Sequence, residues 1–156
     1  MDETDLKFIR LSFQVAAEAR AKGNHPFGAL LVDDGGHVLL RGENTVVTDH
    51  DCTGHAETNL IREASRAYSP EFLSRCTLYA STEPCPMCAG AIFWSNVRRV
   101  VFGLSTNSLN ALVGEETPDV LYLPSRELFA KGRKPIEVLG PVLEEEALQV
   151  HAGFWG

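Results

Sequence analysis

The chain has 156 residues, of which 44% are hydrophobic and 22% are charged, and this size and composition predict a single domain over residues 1–156. The net charge of −7 excludes an overall basic surface, so a nucleic-acid partner would need the local patch of Arg98, Arg99, Lys131, Arg133 and Lys134. The acidic first residues and the lack of a long apolar run are typical of a cytoplasmic protein without a membrane partner.

Apolar spacing predicts the secondary structure in chain order. Steps of three and four residues predict a helix from Thr4 to Lys22, with Thr4 as its N-cap. The turn Asp34-Gly-Gly36 separates two strand-like runs, 27–33 and 37–41, which form a hairpin. The remaining predictions are helices at 56–68, 87–95, 125–130 and 142–151, strands at 77–81, 97–104 and 136–139, and a polar segment at 105–118. This order predicts an α/β fold, a three-layer α-β-α sandwich with a mixed sheet of roughly five strands.

Two short motifs fall at predicted helix starts: His55-Ala-Glu57 and Pro84-Cys-Pro-Met-Cys88. Thiolates three residues apart can bind one metal ion from a single helical turn, and the positive end of the helix dipole favours their ionised form. One nitrogen and two sulfurs suit zinc, and three protein ligands leave the fourth position open to water, as in catalytic sites. We therefore predict one Zn²⁺ per chain, bound by His55, Cys85 and Cys88, with Glu57 as the catalytic residue that transfers protons.

Other interpretations of these residues are possible. A Cys-x-x-Cys pair also occurs in redox proteins and structural zinc sites, where Cys52 or Cys76 could supply a fourth ligand. Cys76 opens a predicted strand, however, and is expected in the core. His25 and His50 lie in loops near the motifs but lack ligand spacing, so we expect them to face solvent.

Together the motifs resemble the signature of the cytidine deaminase superfamily, His-x-Glu followed by Pro-Cys-x-x-Cys. The resemblance covers most of the chain and looks strongest for the branch with bacterial guanine deaminases, fungal cytosine deaminases and tRNA adenosine deaminases. It includes, in the family's order, Pro26-Phe-Gly-Ala29, Gly42-Glu-Asn44, Leu78-Tyr79, Glu83-Pro-Cys-Pro-Met-Cys-Ala-Gly-Ala-Ile92 and Arg99-Val-Val-Phe-Gly103. It implies a hydrolase of C–N bonds in cyclic amidines that forms a homodimer.

The resemblance also implies contacts with the substrate ring. Asn44, otherwise a common turn residue, should hydrogen-bond the ring, and the amide of Ala56 should contact a ring carbonyl or nitrogen. The main-chain carbonyl of Glu83 should accept a hydrogen bond from the departing amino group. Phe27 and Trp94 are expected near the pocket, where at least one would stack on the base unless both are core residues.

The segment after the strand at 97–104 favours a free base over tRNA. In the tRNA-editing branch this segment is usually rich in Gly and Ala with a basic surface, which residues 104–114 are not. The guanine branch has an acidic residue there, whereas Thr106 to Ser108 are neutral and only Glu115 or Glu116 could substitute. We expect a free nucleobase or similar aminated heterocycle, either guanine-like or cytosine, isocytosine or aminotriazine, with tRNA adenosine as the alternative.

The tail from Val150 to Trp155 carries two large aromatic side chains. Apolar groups of this size are expected to be buried. Three places are open to them: the body of the domain, the active-site mouth, which C-terminal segments of related enzymes cover, or an oligomer contact.

Overall fold

Residues 2–155 are described by a computed structural model. The elements are α1 (Glu3–Ala21), β1 (Gly28–Val32), β2 (Val38–Glu43), α2 (Ala56–Ala67), α3 (Pro70–Leu73), β3 (Thr77–Thr82), α4 (Pro86–Ser95), β4 (Arg99–Leu104), α5 (Thr106–Val113), α6 (Ser125–Ala130), β5 (Glu137–Leu139) and α7 (Glu144–Gln149). The strands form one sheet in the order β2-β1-β3-β4-β5. The predicted α/β sandwich with a mixed five-stranded sheet is confirmed.

Strand direction places the ends of the central strands at one edge of the sheet. β1 pairs antiparallel with β2 and β3, whereas β3, β4 and β5 run parallel. Alternate residues face two cores: Leu30 and Tyr79 pack with α1, and Leu31 and Leu78 pack with α2 and α4. Because β3 and β4 are parallel, their carboxyl ends lie together, and α4 and α5 begin there.

The first helix begins one residue earlier than expected. Asp2, rather than the predicted Thr4, is the N-cap, because its side chain accepts a hydrogen bond from the N–H of Asp5 at 2.9 Å. The helix ends at Ala21, and Gly23 follows with a φ of +96°. Neither α1 nor any other helix within residues 2–155 is long and apolar enough to span a bilayer.

Three segments differ from the predicted pattern. The short helix α3 has no counterpart among the predicted elements. The polar segment after β4 contains α5, capped by the Ser105 hydroxyl, which accepts a hydrogen bond from the N–H of Ser108 at 3.1 Å. The spacing of Leu109, Leu112 and Val113 is helical, but polar residues fill the first turn, so the sequence pattern indicates a helix only weakly. The helix has no buried residue. The last helix is shorter than predicted because Leu143 has a φ of +52°, which places it outside the helix.

Gly42 of β2 allows the strand to lie directly against the first turn of α2. A Cβ atom at this position would overlap the carbonyl oxygen of Ala56. The missing side chain therefore brings the start of α2 close to the sheet. The same turn of α2 carries His55 and Glu57.

A buried ion pair fastens α1 to the sheet. Asp5 is 3% exposed, and its carboxylate accepts two hydrogen bonds from the Arg99 guanidinium, both at 2.8 Å. The Tyr79 hydroxyl donates a third hydrogen bond to Asp5 at 2.5 Å. Bidentate pairs of this kind are strong and geometrically specific.

Replacing Asp5 by Asn is expected to lower the free energy of unfolding at neutral pH by about 2–3 kcal/mol, because Arg99 loses a buried counter-charge. The Arg99 guanidinium holds the pKa of Asp5 at about 2, below its usual 3.8. The stabilisation is therefore complete above about pH 4 and is lost as the pH falls towards about 2. Urea unfolding at several pH values measures both effects, and Asp5→Asn should show a smaller loss over this interval.

Glu71→Gln is the matched control, since the Glu71 side chain is 89% exposed beside Arg75. It should change stability by less than about 0.5 kcal/mol. An equal loss in both variants would contradict the role assigned to the buried pair.

Candidate active site

The N-terminal ends of α2 and α4 bring three candidate metal ligands together. Nδ1 of His55 lies 3.5 Å from Sγ of Cys85 and 3.4 Å from Sγ of Cys88, and the three atoms lie within 4.8 Å of one another. A tetrahedral zinc ion with Zn–N of 2.0–2.1 Å and Zn–S of 2.3 Å separates nitrogen from sulfur by about 3.6 Å. The donor set and its spacing therefore fit zinc.

Local sequence explains why these side chains point to one place. His55 and Cys85 are the N-cap residues of α2 and α4, and both have extended backbone conformations. Pro86 occupies the first turn of α4, where its fixed φ and missing N–H are tolerated. Cys88 lies on the buried face of the same helix, so two sulfurs from one turn meet the imidazole from the neighbouring helix.

The two thiols are too close for both to ionise unless a cation lies between them. The hydrogen bond with Cys88, together with His55, lowers the pKa of Cys85 to about 4. The hydrogen bond with the Cys85 sulfur, together with burial, raises the pKa of Cys88. A divalent cation bound between the two sulfurs would remove this repulsion and favour the ionised form of both.

Glu57 lies in the first turn of α2, two residues after His55. Its side chain is 7% exposed, and burial, followed by the nearby Cys85 thiolate, raises its pKa to about 7. Its carboxyl group therefore differs from the usual surface glutamate, which is ionised at neutral pH. A buried carboxyl group beside a metal site is suited to proton transfer.

The site opens into a cavity of about 720 Å³, a volume typical of small-molecule sites. Phe27, Asn44 and Glu83 line it together with His55 and Glu57. The structure therefore brings these three predicted substrate residues to the metal site. The side chain of Ala56 is instead in the core, and its amide belongs to the first turn of α2, where N–H groups have no partner within the helix.

Asn44 is a turn residue whose side chain also lines the cavity. Its side chain is 1% exposed, and its Oδ1 accepts a hydrogen bond from the N–H of Val46 at 3.1 Å. This bond orders the loop after β2 while the side chain lines the cavity. This hydrogen bond therefore fixes the orientation of the Asn44 side chain at the cavity.

The C-terminal tail forms an aromatic wall of the cavity. Trp155 lines the cavity, 6.1 Å from the ring of Phe27, and its Nε1 donates a hydrogen bond to Nδ1 of His151 at 2.9 Å. Burial lowers the pKa of His151 to about 4, which keeps its ring neutral and able to accept this bond. Arg20 fixes the tail by donating to the carbonyl of Val150 at 2.8 Å. Of the three places open to the tail, it occupies the one at the site.

Two sequence predictions are wrong. Trp94 is 80% exposed and does not line this cavity, because the buried face of α4 carries Cys88, Ala89, Ile92 and Ser95 and directs residue 94 outwards. His25, which was expected to face solvent, is half-buried and lines the cavity, since its ring packs 5.8 Å from that of Trp155. His50 is exposed as predicted.

The other two cysteines do not join the metal ligands. Cys76 is buried at the start of β3, as predicted, and burial raises its pKa to about 11. Cys52 is exposed and lines the cavity without belonging to the ligand group. The segment after β4, which the sequence analysis related to the choice of substrate, supplies Leu109 to a wall of the cavity. Asp119 and Leu121 belong to the same wall and were not predicted.

Residues 2–104 match the family model described as the cytidine and deoxycytidylate deaminase zinc-binding region. The match covers both motifs and the four strands β1 to β4. The chain belongs to this family of zinc-binding deaminases, and the predicted zinc cofactor is confirmed.

Relatives that act on different substrates match the chain. It is 44% identical, over 99% of its length and 94% of the relative's, to a probable cytosine deaminase of Schizosaccharomyces pombe. It is 36% identical, over 97% of its length and 88% of the relative's, to the tRNA-specific adenosine deaminase of Bacillus subtilis. A solved structure of guanine deaminase from Nitrosomonas europaea is similar with a TM-score of 0.74 and 25% identity, over 92% of this chain and 80% of that one.

We expect the purified protein to contain about one zinc ion per chain and Cys88→Ser to lose it, because three protein donors are needed to hold the ion. Loss of the metal should also lower the melting temperature, since the ion links α2 to α4. Metal analysis and thermal unfolding measure both effects. Cys52→Ser is the control and should keep the zinc; loss in this variant, or retention in Cys88→Ser, would contradict the ligand assignment.

Proposed function

We propose that this protein is a zinc-dependent hydrolase that removes an exocyclic amino group from a free nucleobase or a similar aminated heterocycle. The substrate class comprises guanine-like rings and cytosine, isocytosine or aminotriazine rings. The observation that carries the proposal is the buried Glu57 next to His55, Cys85 and Cys88 at a cavity of small-molecule size. A homodimer, which the family resemblance supports, and a cytoplasmic location, which the acidic start of the chain favours, form part of the proposal.

Glu57 is the proton carrier in the proposed reaction. Zinc held by His55, Cys85 and Cys88 would supply a water molecule that is nucleophilic at neutral pH. Glu57 would accept a proton from the attacking water and pass it to the ring nitrogen. Glu57 would then carry the second proton of this water to the exocyclic amino group. The C–N bond breaks, ammonia leaves, and the oxygen of the water remains on the ring as an oxo group.

The ring is held by groups around this centre. Asn44 hydrogen-bonds the ring edge, the amide of Ala56 contacts a ring carbonyl or nitrogen, and the carbonyl of Glu83 accepts from the departing amino group. Phe27 and Trp155, whose ring centroids lie 6.1 Å apart at the cavity, are the aromatic residues beside the base. Trp155 thereby takes the place beside the base that the sequence analysis proposed for Trp94.

Charge and similarity favour a free base. No Lys or Arg is found among the described residues that line the cavity, whereas nucleic-acid sites use such side chains to neutralise phosphates. The full-length similarity to a probable cytosine deaminase supports the same class. The alternative, adenosine deamination in tRNA, is favoured by the similarity to the Bacillus enzyme and by a separate groove with Arg126, Arg133 and Lys134.

Ammonia release across guanine, cytosine, isocytosine, adenine, their nucleosides, aminotriazines and a tRNA anticodon hairpin tests the proposal. We expect release from a free base, and Glu57→Gln should lower the rate at least about a hundredfold because proton transfer is lost. Zinc content should stay unchanged in this variant. Retained activity in Glu57→Gln would refute its role, and release from the hairpin alone would establish the tRNA alternative.

Trp155→Ala is expected to raise KM for the active base about tenfold, because stacking on an aromatic ring contributes about 1–3 kcal/mol. Trp94→Ala removes the same side chain from the exposed face of α4 and should leave KM unchanged. Steady-state kinetics on both variants measures the difference. A larger effect from Trp94→Ala would show that the base stacks elsewhere.

A further inference from the structure

The side chain of Glu83 has contacts that its proposed main-chain role does not explain. Glu83 is almost buried, at 9% exposure. One oxygen accepts a hydrogen bond from the N–H of Thr106 at 2.9 Å. The other accepts from both the N–H and the hydroxyl of Ser125, at 2.8 and 2.7 Å. One carboxylate thus binds two segments that are distant from it in sequence.

These partners are the first residues of α5 and α6. Between them lies the stretch 107–124, which supplies Leu109, Asp119 and Leu121 to the wall of the cavity. Because one carboxylate fixes both ends of this stretch, it closes a loop and reduces the conformations open to the wall. Unpaired N–H groups at helix starts are good partners for such an anion.

Hydrophobic packing alone does not hold this wall. α5 contains no buried residue, and Val120, Leu121 and Tyr122 are exposed. The start of α5 depends instead on polar contacts: those of Glu83 and one from the carboxylate of Glu144, which accepts from the N–H of Ser105 at 2.9 Å. Removal of a single carboxylate, that of Glu83 or of Glu144, is therefore expected to displace this wall.

Glu83 is also fixed relative to the metal ligands. Its own N–H donates to the carbonyl of Leu104 at 2.7 Å, at the end of β4. Pro84 and the ligand Cys85 follow directly in the chain. The residue therefore connects the metal loop on one side with the outer wall on the other.

We propose that the Glu83 carboxylate is a positioning residue that holds the wall formed by residues 106–121 at a set distance from the metal site, and so determines how tightly the ring binds. This role rests on the proposed deaminase function. It concerns the side chain, whereas the contact with the departing amino group uses the main chain. A carboxylate can accept all three hydrogen bonds, while an amide would turn donors towards the N–H groups of Thr106 or Ser125.

Glu83→Gln keeps the size of the side chain and tests this role. Using the most active base of the wild-type protein, we expect KM to rise roughly 10- to 100-fold, as for misplaced binding groups, with kcat within about threefold. Zinc content should be unchanged, and amide hydrogen exchange should become faster in residues 105–125. Ser125→Ala removes only the hydroxyl contact and should give a smaller shift in the same direction, which keeps the test valid if Glu83→Gln fails to fold.

Glu127→Gln, an exposed carboxylate two residues after Ser125, is the matched control and should match the wild type in KM and exchange. Unchanged KM and exchange in both Glu83→Gln and Ser125→Ala would overturn the proposal. Loss of zinc in Glu83→Gln with unchanged amide exchange in residues 105–125 would also overturn the proposal. Glu83 would then stabilise only the metal-binding loop. If the wild type releases no ammonia from any substrate, the deaminase proposal fails, while exchange in residues 105–125 still decides whether Glu83 holds the wall.

Discussion

Cys85 and Cys88 cannot both carry negative charge at their observed positions unless a cation lies between them. The arrangement of the two helices at the metal site follows from this electrostatic constraint. The cation must be reached by His55 from a second helix, so α2 and α4 have to begin side by side. Zinc, which accepts nitrogen and sulfur donors without a redox change, meets the constraint, and three protein ligands would leave its fourth position open to water.

The sheet supplies the geometry that this constraint requires. Parallel β3 and β4 end at the same edge, and the chain leaves β3 directly into Glu83, Pro84 and Cys85. Gly42 brings the first turn of α2 against β2, which places His55 and Glu57 near that edge. The metal ligands therefore lie on helix starts that are packed on a rigid sheet, while Phe27, Asn44 and Trp155 lie in loops and in the C-terminal tail.

Sequence reasoning predicted the metal ligands and the sheet because their signals are local. The spacing of Cys85 and Cys88 on one turn is set by helix geometry alone, and β1 is a continuous apolar run. The residues around the substrate ring, in contrast, are positioned by packing between segments that are distant in sequence. Trp94 pointed away because neighbouring residues of α4 fill the core, and His25 turned inward because Trp155, 130 positions later, packs on it. No periodicity in residues 105–125 reveals that Glu83 joins their two ends.

The ion pair between Asp5 and Arg99 also limits the order in which the molecule can form. Tyr79 and Arg99 lie 74 and 94 residues after Asp5. During synthesis, α1 leaves the ribosome before Tyr79 and Arg99 have been made, so the ion pair can form only after β4 has been made. The contact joins residues that are distant in sequence, and contacts of this kind form slowly because a long loop has to close. Once formed, it holds α1 over the apolar face of the sheet that includes Leu30 and Val101, and so shields this face from chaperones and from other unfinished chains.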